Sequence, residues 1–133
     1  MKKLLLTLLL AIVSSSAMAE WVKVGEAVWR DGSHYSVYVD PTTIRKSGNM
    51  VKMWLLYDYG TVQKHTGSSM LFASVKGQSE YDCKEEQSRI LYQVLFSKNM
   101  GKGKRITMRD PDKWGPIEPN TIGVETWKFA CGK

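Results

Sequence analysis

Residues 50 to 59 restrict the fold more than any other stretch of this chain, because apolar side chains recur there at every second position. Successive side chains of a β-strand point to opposite faces, so a period of two is typical of a strand with one face on a core. The opposite face is mixed and includes Trp54 and Leu56. The pattern predicts a β-strand whose apolar face is formed by Val51, Met53, Leu55, Tyr57 and Tyr59.

Further segments with strand character lie on both sides of this stretch. Arg89 to Lys98 is apolar on both faces, which is typical of a strand in the middle of a covered sheet. Asp40-Pro41 predicts one short helical turn, because proline is favoured at the first position of a helix. Gly60 to Ser69 is polar and predicts a loop. The other predicted strands are residues 21 to 30, 34 to 40, 70 to 75 with a continuation as far as 83, and 105 to 109.

The last residues of the chain carry the signals of a helix. Val124, Trp127 and Cys131 have the spacing of one helical face. Thr121 is a suitable N-cap and Gly132 a suitable C-terminal stop. The sequence therefore predicts an α+β fold, in which a five- or six-stranded antiparallel sheet carries a C-terminal helix packed on one face.

Residues 1–19 have the ordered parts of a secretory signal peptide. Lys2 and Lys3 form a positive start, Leu4 to Val13 is apolar, and Ala17-Met18-Ala19 is an A-x-A cleavage site. The apolar part would span only about 15 Å as a helix, half the hydrocarbon thickness of a bilayer, so a membrane span is not expected. Glu20 stands where a lipoprotein signal needs cysteine. The sequence predicts an exported chain with one domain over residues 20–133, and leaves open the periplasm or the cell surface and exterior.

Cys83 and Cys131 are the only two cysteines. Exported proteins reach compartments in which disulfides form and persist, so an even count predicts one intramolecular bridge. A redox pair would more often have the C-x-x-C spacing, which is absent here. In the chain-entropy model, a bridge between residues this far apart stabilises a small domain by roughly 4 kcal/mol.

Three stretches together resemble the surface-adhesin protein E family of Gram-negative bacteria. The first is Val37 to Arg45 followed by Val51 to Tyr59, the second is Glu80 to Arg89, and the third is Trp127 to Lys133. The resemblance covers essentially the whole predicted mature chain. It implies an antiparallel sheet packed by a helix and, for the protein that gives the family its name, adhesion to host extracellular-matrix and plasma proteins.

The resemblance predicts one function, and two alternative functions stay open. We expect an exported, non-enzymatic binding protein that mediates adhesion to host matrix or plasma proteins, or to anionic glycans. The alternative is a periplasmic housekeeping or inhibitor module with no adhesive role. A small hydrolase is the third hypothesis, and it is disfavoured because neither G-x-S-x-G nor H-E-x-x-H occurs. The oligomeric state stays open, and export argues against a nucleic-acid partner.

A run of basic residues interrupted by glycines is the candidate binding segment. Clustered cations on a mobile loop bind anionic glycans, phosphates or acidic protein patches. The competing interpretation is a solubilising hairpin tip, or charges that protect the edge of the last strand from aggregation. Trp114 is the candidate aromatic contact, with core packing as its alternative. The basic candidates are Lys98, Lys102, Lys104, Arg105 and Arg109.

The remaining titratable residues predict no catalytic, cofactor or metal site. The acidic stretch from Glu80 to Glu86 lacks the spacing of a calcium loop, and Lys84 and Arg89 are close in sequence as partners. We therefore expect a solvated strand end with ion pairs. His34 and His65 are the only histidines, and no spacing offers them further ligands or a catalytic partner.

Overall fold

The computed structural model describes residues 20–108 and 113–133. In these ranges the chain forms seven strands, a short 3₁₀ turn at Asn99–Gly101 and one helix. The strands are β1 (Val22–Val28), β2 (His34–Ser47), β3 (Met50–Lys64), β4 (Leu71–Asp82), β5 (Gln87–Lys98), β6 (Lys102–Met108) and β7 (Gly115–Pro116), and the helix is α1 (Ile122–Cys131).

The first six strands form an antiparallel meander, since each pairs with the next one along the chain. The short strand β7 pairs with the first residues of β5, where Ser88 lies opposite Gly115. The sheet therefore has six or seven strands, and the predicted five or six is wrong in its count. Strand β7 was missed because two residues, one of them a proline, carry no alternation that a sequence can display.

The core lies between one face of the sheet and α1. Met53 and Leu55 of β3 are completely buried, as are Val37 and Val39 of β2, and they pack in one cluster with Trp127 of the helix. The Trp127 indole Nε1 donates a hydrogen bond of 3.1 Å to the carbonyl oxygen of Asp82. The predicted apolar face of β3 and the predicted helix are thus confirmed, and the two form one core.

The predicted disulfide is present and joins the end of the helix to the sheet. Cys83 follows β4 directly and Cys131 is the last residue of α1, with their Cα atoms 5.7 Å apart. Gly132 ends the helix in the left-handed conformation, at φ 69°. Trp127 and the disulfide therefore fasten the helix beside the same turn at the end of β4.

The predicted helical turn after Asp40 is wrong, because β2 continues through Pro41 to Ser47. The Asp40 carboxylate accepts hydrogen bonds from the backbone N–H and the hydroxyl of Thr42, and the pairing with β3 is interrupted until Arg45. A bulge thus accommodates the proline, which cannot donate to the ladder. Strand β3 also runs past Gly60 to Lys64, so the predicted loop begins later than expected.

Candidate functional site

Strand β6 is exposed along its whole length and is paired on one side only, with β5. No strand in the described part of the chain covers its outer edge. Lys102, Lys104 and Arg105 lie on this strand, and Lys98 lies opposite Lys102 at the end of β5. None of these four cations has an ion pair within residues 20–108 and 113–133. Arg109, the fifth basic candidate, lies outside the described residues.

The register of β6 divides its cations between the two faces of the sheet. Arg105 lies opposite Phe96, whereas Ile106 lies opposite Leu95 on the face that carries the helix. Side chains alternate along a strand, so Lys104 shares the face of Ile106 and Arg105 points to the other face. The predicted basic cluster is therefore a two-sided edge and not a single patch.

Arg105 lines a groove on the face opposite the helix. The groove has a volume of about 490 Å³, and Lys76 and the ring of Trp54 also line it. The Nζ atom of Lys76 lies 5.2 Å from the centroid of the Phe96 ring and 5.8 Å from that of Trp21, so it is held by two aromatic faces. Sequence analysis did not select Lys76, because it lies alone on β4, far from the basic run.

The turn between β5 and β6 is held in place and is not the mobile loop that its glycines and lysines suggest. The Asp58 carboxylate Oδ1 accepts hydrogen bonds from the Met100 backbone N–H at 2.8 Å and from the Asn99 amide Nδ2 at 3.1 Å. The Ser74 hydroxyl accepts from the Gly101 N–H at 2.9 Å and donates to the Lys98 carbonyl at 2.6 Å. These anchors come from β3 and β4 and keep the base of the basic edge fixed.

Trp114 lies at the opposite end of β5 from the lysines. Strand β7 pairs with Gln87 and Ser88 at the start of β5, whereas Lys102 pairs with Lys98 at its end. Strand β7 and Lys102 are therefore separated by roughly 30 Å along β5. Trp114 is half-buried, and its ring centroid lies 4.7 Å from Cζ of Arg89. The structure therefore does not bring Trp114 together with the basic candidates.

The acidic stretch is more buried than expected. Glu80 and Asp82 are each 9 % exposed. Glu80 forms an ion pair of 2.7 Å with Arg89, while the Asp82 carboxylate accepts hydrogen bonds from the backbone N–H groups of Lys84 and Glu85. The expected ion pair with Arg89 is present, and Glu85 and Glu86 are exposed as a solvated strand end requires. The expectation is wrong for Glu80 and Asp82, because Arg89 pairs with the first and the backbone of the β4 to β5 turn with the second.

The histidines and the acidic residues do not converge. His34 is exposed on β2, and Nδ1 of His65 lies 2.9 Å from the Ser68 hydroxyl. In the described ranges, no three His, Cys, Asp or Glu side chains come together as a metal site requires. No helix in the described ranges is long and apolar enough to cross a bilayer.

A second concave site was missed by sequence analysis. It is an aromatic pocket of about 330 Å³ on the helix-bearing face, built from β2, β3, β4, β5, β6, the β1 to β2 turn and the β3 to β4 loop. Exposed Trp29 stands at this pocket, although the sequence places it in an ordinary strand. The alternation of Tyr57 and Tyr59 predicted their face but could not show that the helix stops short of them.

The fold and its surfaces define a class: a small antiparallel sheet with a disulfide-fastened helix, whose described surface includes a basic edge, a groove beside it and an aromatic pocket. The profile of the family described as surface-adhesin protein E matches residues 21–132. The chain therefore belongs to the surface-adhesin protein E family. None of the curated proteins compared with it matches.

Solved structures of protein E from Haemophilus influenzae are similar to this chain in fold. The crystal structure of protein E from the non-typeable organism superposes with a TM-score of 0.61 at 11% identity, covering 89% of this chain and 79% of that one. A second crystal form gives a TM-score of 0.60 at 14% identity, with 84% and 90% covered. At such low identity the likeness extends to the fold, and the positions of binding residues do not follow from it.

Proposed function

We propose that this protein is an exported adhesin-like binding protein that attaches to acidic segments of host matrix or plasma proteins, or to anionic glycans, through the edge strand β6. The observation that supports it most is a set of cations on an exposed strand that have no ion pair among the described residues. Membership of the adhesin family supports a binding role, and family and fold together suggest a non-enzymatic protein.

The charges of β6 favour an acidic partner. Lys102, Lys104 and Arg105 are exposed and without ion pairs among the described residues, so a partner would find no carboxylate of those residues to displace. Lys98 and Lys102 lie opposite each other, and an anion between them would relieve the repulsion of like charges. The predicted mature chain lacks Lys2 and Lys3 and so has 17 basic and 13 acidic residues, and its net charge of +4 adds a long-range attraction for acidic partners.

The shape of the site favours an extended partner. The outer edge of β6 offers backbone N–H and C=O groups, which extended segments use when they add a strand to a sheet. Arg105 and Lys76 in the neighbouring groove give such a segment cations on the second face. Trp54 and Tyr92 supply apolar area in the same groove, so binding would not rest on charge alone.

The test is binding of the mature protein, immobilised, to purified matrix proteins and heparin at low and high salt. We expect binding at low salt that falls as salt screens the charges. The triple variant Lys102→Gln, Lys104→Gln, Arg105→Gln should lose most of it. A matched control removes two lysines and one arginine from exposed positions elsewhere, as Arg30→Gln, Lys46→Gln, Lys64→Gln.

Two results would overturn the proposal. Absence of binding at low salt would remove the basic edge as a binding site. Equal losses in the triple variant and in its control would show that net charge, and not the place of the charges, carries the attraction. The partner is the matrix protein or glycan that binds the triple variant more weakly than it binds the control variant.

Export is part of the proposal. We infer that residues 1–19 are a signal peptide and that the mature chain begins at Glu20, because a positive start, an apolar stretch and an A-x-A site occur in that order. Intact mass of the protein recovered from cells tests the cleavage site. Protease treatment of intact cells then separates an adhesin on the surface, which is digested, from a periplasmic module, which is released only by osmotic shock.

A further inference from the structure

The aromatic pocket lies where α1 leaves the sheet uncovered. The helix packs on Val51, Met53 and Leu55 of β3, and the next two residues of that face, Tyr57 and Tyr59, line the pocket. Tyr57 also touches the core cluster, so it forms the boundary between the two. The pocket is thus the continuation of the hydrophobic core beyond the end of the helix, and it is open to solvent.

The walls of the pocket are rings that brace one another. The Tyr35 ring centroid lies 5.6 Å from that of Tyr59, 6.3 Å from that of Tyr57 and 6.1 Å from that of Trp29. Phe72 meets Tyr59 edge to face at 5.8 Å. Rings in such contacts hold their orientation, so the cavity has a defined shape before any ligand arrives.

The described lining contains no acidic or strongly basic side chain, although the protein as a whole is basic. Among residues 20–108 and 113–133, no Lys, Arg, Asp or Glu lines the pocket, and His65 is the one titratable side chain there besides the tyrosines. A charged ligand would have to leave water without a counter-charge, which is costly. The chemistry of the lining therefore selects a neutral ligand, in contrast to the acidic partners suited to β6.

The tyrosine hydroxyls supply the polar groups of the pocket. Those of Tyr57 and Tyr59 have no hydrogen-bond partner within the described ranges. Burial raises the pKa of both phenols, so both stay protonated near neutral pH and can donate as well as accept. Tyr57 is partly buried and lines the pocket, so its hydroxyl is the polar group that we assign to a ligand.

We propose that this pocket binds an uncharged, mainly apolar small molecule with one or two ring systems and a hydrogen-bonding group that meets Tyr57. Its volume of about 330 Å³ lies at the small end of ligand pockets, which run from about 300 to 1,000 Å³. A sugar is less suitable, because its many hydroxyls would find few partners among apolar side chains. The proposal is independent of the adhesive function proposed for β6.

The probe for the test is N-phenyl-1-naphthylamine, a neutral amine with two aromatic ring systems, a phenyl and a naphthyl, whose fluorescence rises in apolar surroundings. We expect saturable binding to one site of the mature protein. Tyr57→Phe keeps the ring and removes one hydrogen bond, so affinity should fall about 2- to 10-fold. Phe72→Ala removes a wall and should weaken binding more. The matched control is Tyr38→Phe, which removes a hydroxyl from the opposite face of the sheet.

Circular dichroism confirms that each variant is folded before its affinity is compared. A fluorescence rise that never saturates would overturn the proposal, since it would indicate diffuse surface binding. An affinity unchanged in both Tyr57→Phe and Phe72→Ala would place the probe elsewhere, and equal losses in Tyr57→Phe and Tyr38→Phe would also contradict it. Should Phe72→Ala fail to fold, the comparison of the two Tyr→Phe variants decides alone.

Discussion

Arg89 lies between a carboxylate and an indole. Its Nε and Nη2 atoms donate hydrogen bonds of 2.9 and 2.7 Å to Oε1 of Glu80, and its guanidinium covers the ring of Trp114. The Glu80 side chain is 11% exposed, so the arginine is what balances its charge. Trp114, which the sequence offered as a free contact residue, already has its face occupied.

Arg89→Ala should lower the free energy of unfolding by about 2–4 kcal/mol, because it leaves a nearly buried carboxylate without its partner. Urea denaturation measures the loss. Lys23→Ala is the control, since it breaks an ion pair with Glu26 whose side chains are 45% and 60% exposed, and it should cost nothing measurable. Similar losses in both variants would show that Glu80 is better solvated than its burial indicates.

The buried tyrosines make stability depend on alkaline pH. Burial raises the pKa of Tyr57, Tyr59 and Tyr81 above the ordinary 10.0. The unfolded chain loses these protons near 10.0 while the folded chain keeps them, so the free energy of unfolding should fall as pH rises above 10. Tyrosinate absorbance measures the ionisation of the phenols. Tyr57→Phe should flatten the pH dependence of the free energy of unfolding. Simultaneous ionisation of all six tyrosines in the folded protein would contradict this.

At the scale of elements, the sequence predicted those strands and helices whose residues show a local hydrophobic pattern. The alternation in β3 and the helical spacing around Trp127 were sufficient, because each reflects burial against the core. The passage of β2 through Pro41 was not predictable, since it depends on the Thr43 hydroxyl accepting a hydrogen bond from the Trp54 N–H across the ladder. The basic run was visible in the sequence, but its division between two faces follows from the register with β5.

The β5 to β6 turn depends on one carboxylate contributed by β3. Asp58→Ala removes the acceptor of the Met100 N–H and one of two acceptors of the Asn99 amide, so stability should fall by about 1–2 kcal/mol. Amide hydrogen exchange at Met100 should quicken, and binding through β6 should weaken with it. Asp31→Ala alters the exposed β1 to β2 turn instead and should leave that exchange unchanged. Unaltered exchange in Asp58→Ala would show that Ser74 alone holds the turn.

At the scale of the whole molecule, the helix covers only part of the sheet face, and this explains both the core and the aromatic pocket. The sequence predicted the helix, its disulfide and the strand that it covers. The pocket could not be predicted, because it forms from residues of five strands and two connecting loops, and their meeting depends on sheet register and on where the helix stops. Exposed Trp29 shows no pattern in the sequence that separates it from a core tryptophan.

The disulfide and the packing of Trp127 hold the helix at the same end of β4, and we expect the packing to persist when the disulfide is removed. The disulfide closes a sequence separation of 48 residues, so Cys83→Ser with Cys131→Ser should lower the free energy of unfolding by about 4 kcal/mol. Small domains are stable by about 5–15 kcal/mol, and Trp127 keeps its buried contacts and its hydrogen bond to Asp82, so the variant should stay folded with the helix in place. Slow hydrogen exchange at the Trp127 indole reports this docking. Rapid exchange at that indole in a variant whose strands remain protected would mean that the disulfide, and not the packing, holds the helix on the sheet.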